Sequence, residues 1–471
     1  MILKRAAYES LLEWKASLGP AAPSLGAAGG APPRRALLLD GARQVGKTHL
    51  IEQFGKTEYD HFVKVDFLAD ERAADLLGSA CDVHQVTERL SLLAGRPLAE
   101  GDTLVFFDEV QEAPNLFTFS KYLADDGRFD LAMSGSMLGV ELASARSFPV
   151  GYLHELHLWP LTFEEFCWSA GVPEGALSEV GECCREARPV DDAVHERLID
   201  LFRIYVVVGG MPAAVSAYHD SLFDLFAVRG TLSDLTALYR DDIAKYAGGR
   251  ALQVKSIFDA MPSQLAKENK RFELKSLRSQ ARFERFANDF AWLVAAGAAL
   301  KVNSVTEPRV PLARTQEEAR FKLFPSDVGM LMSMYPPAVS QAAVAADRDV
   351  NFGAVYECAV AQELSAAGLE LRYWRSSQKG EVDFLVEGPD GSVLPIEVKS
   401  GKAYKRHMAL NNLLGEDAYG ISEAVVLSEA NVSCAERAGK RVRYLPLYMA
   451  AHLASLQSPQ PSVLPAPPAW E

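Results

Sequence analysis

The run Gly41-Ala42-Arg43-Gln44-Val45-Gly46-Lys47-Thr48 has the spacing of a complete phosphate-binding loop. Such a loop works only between a buried strand and the helix that follows it, so it constrains the fold around it. Ala36 to Leu39 form an apolar run that reads as the strand. Thr48 to Phe54 read as the helix, with Gly55 as its C-terminal cap. Backbone N–H groups opened by the glycines can wrap an anionic phosphate at the helix N-terminus. Lys47 is placed to reach the β- and γ-phosphates of a nucleotide, and the Thr48 hydroxyl to ligate Mg2+. His49, next along the helix, counts in the same cradle. A chance match in a chain of average composition has a probability of roughly 1–2%, and the flanking strand and helix lower it further.

A site of this kind needs an acidic residue at the end of a neighbouring buried strand. Thr103 to Phe107 form such a strand, closed by Asp108-Glu109. Asp108 is the candidate Mg2+ holder, and Glu109 the candidate catalytic residue that orients and polarises the attacking water. An Asp-Glu pair also opens ordinary surface turns, and the phosphate loop upstream favours the catalytic reading. A third strand, Phe129 to Met133, runs into Ser134-Gly135-Ser136. Their hydroxyls, at the C-terminal edge of a parallel sheet, either sense the outer phosphate or simply end the strand.

The length, 471 residues, suggests two to four domains. Lys and Arg number 48 against 62 Asp and Glu, a net charge of −14. That balance argues against nucleic acid along the whole surface and leaves room for a local basic patch. The six cysteines (Cys81, Cys167, Cys183, Cys184, Cys358, Cys434) show no CxxC spacing, as expected in a reducing cytosol. No apolar run approaches the ~18–20 residues of a membrane span, so the expectation is a cytoplasmic protein without a membrane partner.

Leu3 to Leu18 read as an amphipathic helix, and the Ala, Gly and Pro residues of Pro20 to Pro33 as a tether. His154 to Trp159 read as a further strand, and Thr162 with Glu165 as a capping box. Val194 to Tyr246 are helical in pattern, broken by a turn at Gly209-Gly210-Met211-Pro212. Phe272 to Ser279 and Arg282 to Ala296 read as two helices before a strand at Ala298 to Val305, the order of a winged-helix unit. Between Lys267 and Arg285 seven basic residues (Lys267, Lys270, Arg271, Lys275, Arg278, Arg282, Arg285) stand against three acidic ones, a net +4. That is the footprint of phosphate-backbone contact, though a solvated helical face has the same pattern.

A second constellation lies further on. Asn351 to Leu364 read as a helix carrying Glu357, and Leu371 to Arg375 as a strand. Glu381 to Val386 and Val393 to Lys399 read as two strands joined through Pro389-Asp390-Gly391, strong hairpin chemistry. Side chains alternate along a strand, so Glu397 and Lys399 share a face that Asp383 of the partner strand can join. Such carboxylates suit Mg2+ or Mn2+, and Lys399 could stabilise charge developing on a phosphodiester. A buried ion-pair cluster that orders the hairpin is the alternative.

Asp383 with Glu397-Val398-Lys399 resembles the D…ExK core of the restriction-endonuclease-like superfamily, and Glu357 matches the acidic residue often supplied by that fold's first helix. More widely, residues 3–450 resemble bacterial and archaeal AAA-type P-loop ATPases with a C-terminal domain of unknown function. The matching segments are the phosphate loop, Asp108-Glu109-Val110-Gln111, Ser134-Gly135-Ser136, Trp159 to Phe166, Gly209-Gly210-Met211-Pro212, Glu381-Val382-Asp383 and Ile396 to Gly401. The resemblance implies an α/β fold: an AAA-like P-loop parallel sheet with a helical lid, a winged-helix-like middle domain and a C-terminal α/β restriction-endonuclease-like domain. The matching boundaries are 1–33 for the helix and tether, 34–165 for the ATPase domain and 166–250 for the lid. The middle domain takes 251–330, the nuclease-like domain 331–457, and a disordered tail 458–471. ATP and Mg2+ are the implied cofactors, DNA the candidate partner, and a homo-oligomer or protein partner stays open. Many relatives carry Gly-Arg where this chain has Val150-Gly151-Tyr152, which leaves an arginine finger unplaced, with Arg128 and Arg146 as weak candidates.

Overall fold

The structure is a computed structural model that describes residues 3–18, 34–80, 82–98, 101–135, 151–277, 282–347, 349–401 and 403–457. The tether, Ser136, Arg146, Arg278 and the tail from Ser458 lie outside the described residues. The chain divides into two compact units, each assembled from three segments.

The first unit takes residues 1–161, 210–258 and 284–299. Its apolar runs become strands β1 (Ala36–Asp40), β2 (His61–Asp66), β3 (Thr103–Asp108), β4 (Asp130–Ser134) and β5 (Leu153–His157). They pair in the order β2-β3-β4-β1-β5, all parallel. β3 is buried along its whole length, which explains its unbroken apolar sequence: a parallel sheet is covered on both faces. The helix after the phosphate loop runs Lys47–Glu58, so Gly55 is interior and not the expected cap. Its role is steric. A Cβ there would lie 2.3 Å from the Phe62 ring of β2, so only glycine lets helix and strand approach. The N-terminal helix Ala7–Ser17 buries Leu11 and Trp14 as its pattern predicts. Trp14 Nε1 donates to the Arg35 carbonyl at 2.9 Å.

The second unit takes residues 162–209, 259–283 and 300–471. It holds strands β6 (Ala299–Val305), β7 (Gln316–Pro325), β8 (Arg372–Ser376), β9 (Gly380–Glu387), β10 (Val393–Val398), β11 (Glu423–Ser428), β12 (Ser433–Arg437) and β13 (Lys440–Pro446). Their order is β12-β13-β11-β10-β9-β8-β6-β7. β9 and β10 form the expected antiparallel hairpin, with Ile396 opposite Phe384. Gly391 sits in its turn at φ 78°, and the Asp390 carboxylate accepts from the Ser392 N–H at 2.9 Å. Helix Gly353–Ala366 is buried from Ala354 to Leu364, beyond what an amphipathic helix allows. Thr162 and Glu165 form the expected capping box. The break at Gly209 is more than a turn: a Cβ there would meet Gly329 Cα at 2.7 Å.

Over its described part, Phe272–Leu277, the expected helix Phe272–Ser279 is not formed. A single 3-10 turn, Leu274–Ser276, takes its place, because the Phe272 N–H bonds the Phe321 carbonyl of β7 at 2.9 Å and the two rings stack. The second expected helix shortens to Ala287–Ala295 after a 3-10 turn at Phe283–Arg285. A helix at Ala251–Leu265, with Pro262 inside it, was not foreseen.

Glu363 is buried on the central helix of the second unit. One oxygen, Oε1, accepts both the Phe163 N–H and the Tyr205 hydroxyl at 2.8 Å. Burial pushes its carboxyl from 4.5 up to about 7, against the pull of those two donors. A raised folded-state value means folding takes up a proton: the contribution is whole below about 4.5 and lost as pH rises through 7. The urea midpoint of the wild type should therefore fall between pH 5 and 8 more steeply than that of Glu363→Gln, which keeps the accepting oxygen without titrating. The difference should be on the order of 1–3 kcal/mol.

Candidate nucleotide site and C-terminal charge cluster

The loop after β1 takes the conformation a phosphate cradle requires. Gly41 and Gly46 stand at φ 141° and 96°, and Gln44 also has a positive φ of 64°. At Gly41 a Cβ would sit 2.3 Å from the Leu158 carbonyl. Lys47 is buried, and its Nζ donates to the Gly41 and Ala42 carbonyls at 2.9 Å each. Burial lowers its pKa to about 8, opposed by Glu109, Asp40 and Asp108. Arg43 points away from the cradle to Asp242, and its carbonyl accepts from the Tyr239 hydroxyl at 2.9 Å.

The acidic partner stands where the spacing put it. Thr48 Oγ1 lies 2.9 Å from Asp108 Oδ2, and the Ser134 hydroxyl donates to Asp108 Oδ1. Of the two expected hydroxyls, Ser134, the last residue of β4, is thus engaged. Lys64 of β2, which the sequence reading passed over, lies 3.1 Å from Asp108 Oδ2. Burial would lower Lys64, but Glu52 and Asp108 outweigh it and hold its pKa above the usual value. Glu109 sits in the left-handed region at φ 55°, a conformation retained where surroundings enforce it, and Gln111 donates to its Oε2 at 2.5 Å. Arg128 lies before β4, at the sheet edge opposite Ser134, and pairs with Asp126.

A second residue outside the sequence reading, Arg5, reinforces the loop. Arg5, buried, donates to the Val45 carbonyl at 2.9 Å and the Trp159 carbonyl at 2.6 Å. Beside it a cavity of about 210 Å3 is lined by Leu3, Arg5, Gly46, His49, Gln53 and Pro212. His49 and Gly46 thus border the same cavity.

The C-terminal residues Glu357, Asp383, Glu397 and Lys399 also come together. The Val398 N–H donates to Asp383 Oδ2 at 2.9 Å, and Lys399 to Glu397 Oε1 at 2.6 Å. Two lysines join them: Lys322 of β7, and Lys270, which pairs with Glu357. Lys270 is thereby withdrawn from the expected basic patch. Lys267 is engaged by Glu273 at 3.1 Å, while Lys275 and Arg282 are exposed. Lys322 was missed, although a lone lysine in Phe321-Lys322-Leu323-Phe324 is a readable signal.

Residues 33–167 match a family model described as an AAA domain. Residues 199–340 and 352–448 match two domains of unknown function, DUF8612 and DUF4143. Residues 33–167, which hold the five-stranded parallel sheet, are thus similar to an AAA-type P-loop domain. No curated relative matches. Among solved structures, a Walker-type ATPase of Pyrococcus abyssi is similar over 71% of this chain and 96% of its own, at 15% identity and a TM-score of 0.43. The Aeropyrum pernix ORC1 protein in complex with DNA covers 74% of this chain and 93% of its own, at 14% identity and TM-score 0.25. AMPPCP-bound DnaA from Aquifex aeolicus covers 57% and 76%, at 13% and 0.28. No single helix among the described residues is long and apolar enough to cross a membrane.

Lys47→Ala should weaken ATP binding at least about 30-fold, the scale for removing a buried charge contact, without unfolding the chain. Calorimetric titration with ATP, alongside circular dichroism, checks both halves of that statement.

Proposed function

We propose that the chain binds ATP with Mg2+ in the Gly41–Thr48 cradle and hydrolyses it, acting in the cytoplasm to drive or gate its C-terminal domain. The observation that carries this reading is the Asp108 carboxylate. It gathers the Thr48 and Ser134 hydroxyls at the carboxyl edge of a parallel sheet, beside a loop wrapped for an anion. Thr48 and Asp108 are hard oxygen donors within 2.9 Å of each other and fit Mg2+, which when bound supplies neutralising charge at the outer phosphates. Lys47 would exchange its two carbonyl partners for phosphate oxygens. Glu109, steadied by Gln111, orients the attacking water and polarises it. The cavity beside Gly46 and Pro212 suits the nucleobase. The lid reading of 166–250 is supported by the place of Pro212 on that cavity.

In steady state Glu109→Gln should still bind ATP while turnover falls about 100-fold or more, the scale of a lost general base. If turnover survives Glu109→Gln and vanishes in Asp108→Asn, the assignment of the two acids is reversed. One observation favours the rival reading of a slow regulatory module that works through a protein partner: Lys64 holds the Asp108 oxygen that a metal needs. Turnover measured with and without duplex and single-stranded DNA separates the two.

For the second unit, the β9–β10 hairpin and Glu357 on the preceding helix support a restriction-endonuclease-like fold. The winged-helix-like reading of 251–330 spans both units, with its helix Ala287–Ala295 in the first and most of β6 in the second. DNA contact through this region rests on the exposed Lys275 and Arg282. Reversing both charges should lower the slope of log affinity against log salt by about two. An unaltered slope in that double variant moves any DNA contact elsewhere.

A further inference from the structure

Lys322 is completely enclosed, its side chain 0% exposed. Its Nζ lies 3.3 Å from Glu357, 2.9 Å from Glu381 and 3.3 Å from Asp383. The rings of Tyr373 and Phe384 close the remaining sides at 5.2 and 5.9 Å. Lys270 takes the other Glu357 oxygen, and Lys399 takes Glu397 Oε1. Four carboxyls therefore face four cations, the three ammonium groups and the Arg375 guanidinium, which lies 3.9 Å from Glu381. Glu397 Oε2 is buried without a hydrogen-bond partner.

We propose that Lys322 is a built-in cation standing where a divalent metal would stand among Glu357, Asp383 and Glu397, so that this centre binds neither Mg2+ nor Mn2+ and cleaves no phosphodiester. A metal ion needs carboxylate oxygens at roughly 2.0–2.6 Å and free to turn toward it. Here Glu357 and Asp383 are committed to a lysine whose own side chain is 0% exposed, so withdrawing it would strand their charges in a low-dielectric site. With the charges already balanced, no net field draws a second cation in. Among the described residues no group of three or more His, Cys, Asp or Glu side chains is arranged to hold a metal. The D…ExK pattern is retained while its chemistry is replaced by an ion-pair core. This inference is independent of the nucleotide reading, since it concerns side chains of the second unit alone.

The test is Mn2+ titration calorimetry on the full chain at pH 7 without nucleotide. It compares the wild type with Asp383→Asn, Lys322→Gln and the combination of both, each verified as folded by circular dichroism. The wild type and Asp383→Asn should give the same isotherm. Lys322→Gln, with its cation removed, should gain one Mn2+ site at least tenfold tighter than any in the wild type, and the combination should lose it again. A wild-type site that disappears in Asp383→Asn overturns the proposal, as does a folded Lys322→Gln without the gain. Asp383-dependent DNA cleavage by the wild type with Mn2+ overturns it too. If Lys322→Gln does not fold, the comparison of wild type with Asp383→Asn decides alone.

Discussion

The parallel pairing of β1 between β4 and β5 is the constraint on which the candidate nucleotide site depends. Leu39 stands opposite Ser134, and Asp40 opposite His157, so the strands end on one common edge. β3 is brought in by β4 and ends there with Asp108, itself opposite Asp66 of β2. A one-residue slip of β3 against β4 would turn the Asp108 carboxylate to the other face of the sheet. The apolar runs prevent that slip, because every inward residue of β1 and β3 is packed. The chemistry at the edge thus inherits its geometry from hydrophobic burial within the sheet, which is where most of the stabilising free energy lies.

The second unit carries an uncommon load of buried charge for a sheet so apolar. Glu363, Glu357 and Lys322 all lie buried, and two different devices satisfy them. Glu363 has no cation partner among the hydrogen bonds described and relies on a backbone N–H and a phenol, so burial leaves it near neutrality. The cluster around Lys322 uses direct pairing instead. Burial alone would discharge Lys322, but Glu357, Glu381 and Asp383 outweigh it and hold its pKa well above the ordinary value. Lys322 and Lys270 likewise keep Asp383 low despite its burial. Removing one member of such a set leaves an uncompensated buried charge, far costlier than the net worth of the pair.

How much of this was legible depended on distance along the chain. The phosphate loop is eight consecutive residues, the capping box four, and the hairpin turn three, so each could be read from local rules. Gly55 was misjudged because its reason lies on another element: the ring of Phe62. The helix expected at Phe272–Ser279 failed because Phe272 pairs with Phe321, a partner that local propensity does not see. Lys270 looked like a phosphate contact since seven basic residues cluster in sequence, whereas its carboxylate lies on the helix of Glu357. Lys64 and Lys322 were hidden for the same reason. Each is an ordinary lysine until the fold sets it against acids from other strands.

Lys64 and Lys322 also show what separates a site that can change partners from one that cannot. Both place an ammonium against a carboxylate expected to hold a metal, Asp108 in one unit and Asp383 in the other. The Lys64 side chain is 24% exposed and has Glu52 at 3.0 Å as a second anchor, so it can yield Asp108 while keeping a partner and water. Its flexible stem makes that exchange a rotamer change. Lys322 is 0% exposed, its acids lie on both sides, and leaving them would strand a charge inside the sheet. Lys47 follows the first pattern, since the carbonyls it now holds belong to the loop a phosphate would enter. The nucleotide binding proposed for the first site would then be a replacement of partners already arranged around that loop. At the proposed inert second centre the same kind of pairing is closed inside the sheet.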